Sequence, residues 1–175
     1  MLQRARTLLF VTATAIVIVA CGSDDPVQPV SKIVTFKATM NAAAEVQTPA
    51  VVSPGTGTFT ATLDTSTNVF TYDITFSGLV STVTLGHIHG PAAAGANAGT
   101  TINFQTLPGA TFSLGATSGT AHGTTTLTAA TQITATVNGD SLKKLLFAGL
   151  TYANIHTAAP TGFPAGEIRG QITKQ

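Results

Sequence analysis

The chain has 175 residues, of which 43% are hydrophobic and only 9% charged, and eight Lys and Arg against seven Asp and Glu leave a formal net charge of +1. A charge so thin and even offers no basic cluster for a phosphate backbone, which excludes nucleic acid as a partner. A single cysteine rules out an internal disulfide, so one ordinary core of about domain size must supply the stability.

At the N-terminus, "MLQRAR" is followed by the fourteen-residue apolar run "TLLFVTATAIVIVA", which ends two residues short of Gly22, immediately before Cys21. A permanent membrane helix needs about twenty apolar residues, so residues 1–20 read as a signal peptide. The stretch "IVAC" resembles a bacterial lipobox. That resemblance implies cleavage before Cys21, lipidation of its thiol and acylation of the new N-terminus; the alternative is a plain secretory signal. The expected location is extracytoplasmic, with the protein lipid-anchored to the bacterial cell envelope on its periplasmic face or at the cell surface. The membrane is then a partner through Cys21. Without residues 1–20 the chain carries six basic and seven acidic side chains. Small, acidic and proline residues in "GSDDPVQPVS" make 21–31 a flexible tether, and 32–175 a single domain.

From Lys32 onward, short β-branched and aromatic runs alternate with Gly, Pro and Asn: "KIVTFKATM", "GTFTATLD", "VFTYDITFSGL", "GHIHG", "TTINFQTL", "GTTTLT", "ITATV", "YANIHT" and "EIRGQI". Each reads as a strand. In "FTYDITF" the residues Phe70, Tyr72, Ile74 and Phe76 share one side, and the abundant threonines suit a pleat with a wet face. Nine short strands predict an all-β sandwich or barrel. One short helix is expected near 141–148 in "NGDSLKKLLFAGL", capped by Asp140 or Ser141 and ended by Gly149. Leu142, Leu145 and Leu146 share its inner face and Lys143 and Lys144 its solvated one.

Two phrases sixty-seven residues apart, "TLGHIHGPAAAGANAG" and "TYANIHTAAPTGFPAG", align without a gap, matching Ile88 with Ile155, His89 with His156 and Gly99 with Gly166 among seven identities in sixteen. They read as a duplicated strand-loop-strand unit.

Side chains two apart on a strand share a face, so His87 and His89 point one way and Ile88 the other. The same rule groups Tyr152, Asn154 and His156, and sets Glu167, Arg169 and Gln171 opposite Ile168 and Ile172. If these strands are neighbours, the rarest residues of the chain gather on one outer face. Three readings of that face stand. His87, His89 and His156 supply three imidazole nitrogens to copper or zinc, with Glu167 as a further or orienting ligand. Alternatively, Asn154, Glu167 and Arg169 form a hydrogen-bonded network, with Glu167 and Arg169 paired to each other or to the histidines. In the third, the two Pro- and Gly-rich loops, with Phe163 exposed, present an apolar rim to an extracellular protein partner. His122 stands alone as a surface histidine. No phosphate loop, nucleophile elbow, cysteine nucleophile or carboxylate pair within one segment is present, so no catalytic residue is assigned and the reading leans away from an enzyme.

"GHIHGPAAAG" together with "YANIHTAAPTGFPAGEIRGQI" resembles the CHRD domain, named after the developmental regulator chordin and common in bacterial secreted proteins and lipoproteins; the likeness covers about residues 33–173. It implies a binding or envelope module with no established catalytic activity. A more distant likeness, through the His-x-His strand, is to copper-zinc superoxide dismutase. It implies a Greek-key β-sandwich and not the activity, because neither the zinc-binding loop nor the cysteine pair is present.

Overall fold

The computed structural model describes residues 32–175; the expected signal peptide, Cys21 and the whole of the expected tether lie outside the described residues. Nine strands and one α-helix follow in the order β1 (Ile33–Asn41), β2 (Thr56–Asp64), β3 (Val69–Ser77), β4 (Val83–His89), β5 (Thr100–Asn103), β6 (Thr111–Phe112), β7 (Gly119–Thr126), α1 (Gly139–Phe147), β8 (Thr151–Thr157) and β9 (Ile168–Lys174). The all-β class is as the sequence predicts. All nine strands belong to one antiparallel sheet, ordered β5-β4-β8-β9-β1-β2-β3-β7-β6. The sheet curls round a single core in the manner of a sandwich. Its two ends are drawn together where Val83 N donates to Ala116 O at 2.9 Å and Leu79 N to Thr117 O at 3.1 Å. Gly86 sits under that junction, and a Cβ there would lie 2.7 Å from the rings of both Phe104 and Phe112.

Period-two alternation builds the core. Phe59, Ala61 and Leu63 of β2 and Phe70, Tyr72, Ile74 and Phe76 of β3 are buried, with threonines on the other face of the ladder. Each buried large apolar side chain contributes about 1.5–3 kcal/mol. On the wet face Thr58 and Thr75 bond hydroxyl to hydroxyl at 2.8 Å, a cross-strand pair of the kind that favours Thr here.

Three expectations need correction. "ITATV" is not a strand: Ile133 N and Thr134 N both bond Val137 O, and the only ladder contact is an isolated bridge between Gln132 and Asn138. Four β-prone residues around Ala135, without a neighbouring strand, close on themselves instead. The short β6 in "GATFSLG" went unread because two residues show no period. The helix runs over 139–147, and its cap is Asn138, whose side chain accepts from Ser141 N at 2.9 Å, rather than Asp140 or Ser141. Gly149, with φ +67°, follows the helix as expected. Lys143 is not simply solvated: its Nζ donates to Asn68 Oδ1 at 2.7 Å and pairs with Asp140 at 3.0 Å.

Candidate metal centre

The two related phrases become neighbouring hairpins, β4-loop-β5 and β8-loop-β9. β4 and β8 run antiparallel with His87 opposite Asn154, His89 opposite Tyr152 and Leu85 opposite His156. This register is symmetric about the His87–Asn154 pair under the sixty-seven-residue repeat, so His89 and His156 are equivalent positions. Their bonds are alike, although the acceptors differ by one position under the repeat. His89 Nδ1 lies 3.0 Å from Ala98 O in its own hairpin loop, and His156 Nδ1 lies 3.0 Å from Pro164 O in its own.

Ile88, Ala153, Ile155 and Ile168 point into the core as expected, and the histidines, Tyr152, Asn154 and Arg169 share the opposite face. That face is not an outer surface. His87 and His89 are 9% exposed, His156 7%, Asn154 3%, Arg169 1% and Glu167 0%. The loops of residues 42–55, 90–99 and 158–167 cover it and are bonded to one another, as when Asn97 Nδ2 donates to Val46 O at 2.9 Å and Gln47 Nε2 to Gly166 O at 2.6 Å. Phe163 is half-buried rather than exposed, and its backbone bonds Thr157 on both sides.

One ring nitrogen from each of His87, His89 and His156 lies within 4.8 Å of the other two. His87 Nδ1 and His156 Nε2 are 3.1 Å apart. A carbonyl oxygen only accepts, so Nδ1 of His89 and of His156 carries the proton and each Nε2 presents a lone pair. His89 Nε2 is buried and has no partner. Burial, helped by the neighbouring His156 and His89 charges, pushes His87 down to about 4. Burial likewise pushes His89 down to about 4, against the Ala98 hydrogen bond and with the charges of His156 and Arg169. His156 is lowered by burial. All three rings are neutral at pH 7, the form that ligates a metal.

The remaining polar residues divide into two locks. Glu167 accepts from Ser53 Oγ at 2.5 Å, Val80 N at 2.7 Å and Thr157 Oγ1 at 2.6 Å. It pairs neither with Arg169 nor with a histidine, which corrects that expectation. Arg169 lies 3.4 Å over the Tyr152 ring and donates to Asn97 Oδ1 at 2.9 Å and Ala96 O at 2.7 Å. Tyr152 in turn stacks on His89 with centroids 4.8 Å apart and planes at 7°. Asn154 Nδ2 reaches Glu45 Oε2 at 3.5 Å. His122 is exposed and pairs with Asp73 at 2.8 Å, away from the cluster. Sequence reasoning missed Glu45 and Ser53; Glu45 is one of seven acidic residues in the chain, and that rarity was its signal.

A curled β-domain with a buried, loop-covered imidazole cluster on one face is the class these observations define. The family model of the CHRD domain matches residues 36–172, and the chain belongs to that family. No curated protein and no solved structure matches it. The dismutase likeness therefore rests on the His-x-His spacing and the β class alone.

Proposed function

We propose that this CHRD protein is a lipid-anchored, extracytoplasmic binding module whose ligand is one transition-metal ion, held by His87, His89 and His156. The observation that carries the reading is the convergence of three neutral imidazoles, one of them with a buried, unpartnered Nε2. The carbonyls of Ala98 and Pro164 fix two of the rings as outer partners do around bound metals. Bonds of about 2.0–2.1 Å place two ligand nitrogens up to about 4.2 Å apart. The 3.1 Å pair already meets this, and the widest spacing, 4.8 Å, closes with a small ring shift. Copper is favoured over zinc, because nitrogen sites follow the divalent affinity order that peaks at Cu(II).

Calorimetric titration of the detergent-solubilised, metal-stripped full chain should give one equivalent of Cu(II), bound more tightly than Zn(II). The His89→Ala, His156→Ala double variant should bind at least a hundredfold more weakly. Equal weak binding by both proteins would assign the histidines to the hydrogen-bonded network.

The anchor rests on "IVAC", and the described residues contain no helix long and apolar enough to cross a membrane. Wild type should partition with membranes and carry acyl mass on Cys21, whereas Cys21→Ser should stay unlipidated and uncleaved. Normal processing of Cys21→Ser, with no acyl mass on wild type, would leave a plain secretory signal.

A further inference from the structure

Arg169 is 1% exposed, yet every group it touches is neutral: the Tyr152 ring, Asn97 Oδ1 and Ala96 O. The ion pairs among the described residues are His122–Asp73 and Lys143–Asp140, so no carboxylate of the described residues lies within 4.0 Å of its guanidinium. A buried cation without an anionic partner costs several kcal/mol, and proteins ordinarily pair it. The nearest carboxyl in charge terms is Glu45, which burial pushes up to about 7, so at neutral pH it neutralises Arg169 only in part.

Arg169, Glu45 and Gln171 line one cavity of about 220 Å³, walled otherwise by small residues including Ala44, Ala94 and Gly95. At ~30 Å³ per water it has room for roughly seven waters, ample for a small amino acid. Two of these lining side chains carry a buried oxygen without a hydrogen-bond partner, Glu45 Oε1 and Gln171 Oε1. The Gln171 amide is oriented by its other end, since Nε2 donates to Ala92 O at 2.9 Å and Gly149 O at 2.7 Å. The cavity thus combines one cation that is only partly neutralised with two acceptors that lack donors.

We propose that this cavity binds a small carboxylate carrying amino or hydroxyl groups, its carboxylate on Arg169 and its donors on Glu45 and Gln171. Arginine suits this role because its planar fork matches a carboxylate. The site is separate from the imidazole cluster: Arg169 and that cluster lie at opposite ends of the Arg169–Tyr152–His89 stack. It does not rest on metal binding.

The test uses the full chain in detergent with a metal chelator present, so that no amino acid–copper complex forms. Ligand-observed NMR compares serine, acetate and ethanolamine as probes. Serine should bind saturably and at least tenfold more tightly than acetate, which lacks the donors, or ethanolamine, which lacks the carboxylate. Arg169→Gln should weaken serine at least tenfold. Because that variant also loosens the 90–99 loop, Ala94→Phe, which adds a ring to the cavity wall and leaves Arg169 in place, should weaken it as much. Serine binding no better than ethanolamine, or unchanged in Ala94→Phe, overturns the proposal and leaves a cavity filled by water.

Discussion

Replacing Glu167 by alanine is expected to lower the melting temperature by roughly 10–20 °C, the largest effect of any single substitution among the polar residues of this face. Its carboxylate is fully buried and takes hydrogen bonds from Ser53 Oγ, Val80 N and Thr157 Oγ1. These three donors come from the loops before β2 and before β4 and from the end of β8, so one side chain ties three segments to the start of β9. A hydrogen bond to a charged group contributes about 1.5–3 kcal/mol, and a buried donor left without its acceptor costs about 1–3 kcal/mol. Truncation strands three donors and opens a cavity, for a total of roughly 3–6 kcal/mol against a whole-domain stability of about 5–15 kcal/mol. Glu167→Gln should be milder. Thr157 Oγ1 can accept from an amide where the Val80 N–H cannot, so the amide nitrogen has one tolerable orientation. Thermal unfolding followed by circular dichroism should rank wild type above Glu167→Gln above Glu167→Ala. A melting temperature for Glu167→Ala within about two degrees of wild type would mean that these bonds do not hold the loops.

Which residues share a face was legible from periodicity alone: the histidines, Tyr152, Asn154 and Arg169 alternate with Ile88, Ala153, Ile155 and Ile168, as the two-residue period requires. That their strands are neighbours was not, because the order β4-β8-β9 joins segments far apart in the chain. The internal repeat pointed to it, since duplicated hairpins pack readily about a local two-fold. Burial of the face was illegible for a different reason. It is produced by loops held through backbone carbonyls such as those of Ala98, Ala96 and Pro164, and a backbone carbonyl has no sequence signature. The same blindness placed Glu167 beside Arg169: two rare charges of opposite sign, two apart on one strand, invite pairing on paper. A hydroxyl of Ser53 and a backbone amide of Val80, both remote in sequence, take the carboxylate instead. Asn138 became the helix cap for a related reason. The turn at 133–137 delivers it to the helix start two residues before Asp140 and three before Ser141.

Acidification should destabilise the metal-free protein between pH 6.5 and about 4, and the imidazole cluster should be the main cause. His87 and His89 have an ordinary value of 6.5 and are pushed down to about 4, first by burial and then by neighbouring charge, that of His156 and His89 on His87 and that of His156 and Arg169 on His89. As pH falls through 6.5 the unfolded chain takes up protons at these sites while the folded chain does not. The unfolded state therefore binds more protons across this window, and stability, complete above pH 6.5, declines until the folded rings protonate near pH 4. At about 1.4 kcal/mol per pH unit, each ring contributes on the order of 3 kcal/mol. The two are coupled and sum to less than twice that. Glu45 acts in the opposite sense: burial raises it from 4.5 to about 7, so the folded state holds its proton where the unfolded state has lost it, and stability from this group grows as pH falls through 7. It offsets part of the histidine loss, and Glu45→Gln should steepen the acid decline. Melting temperatures of the metal-stripped full chain from pH 8 to pH 4 should show the decline in wild type and a flatter profile in a His87→Gln, His89→Gln variant. With one equivalent of Cu(II), wild type should stay stabilised well below pH 6.5, because rings that resist protons until about 4 keep their lone pairs for the ion. A variant profile parallel to wild type would place the acid sensitivity elsewhere in the domain. Copper stabilisation that vanishes already at pH 6.5 would mean that the ion sits on exposed groups outside the cluster, such as His122.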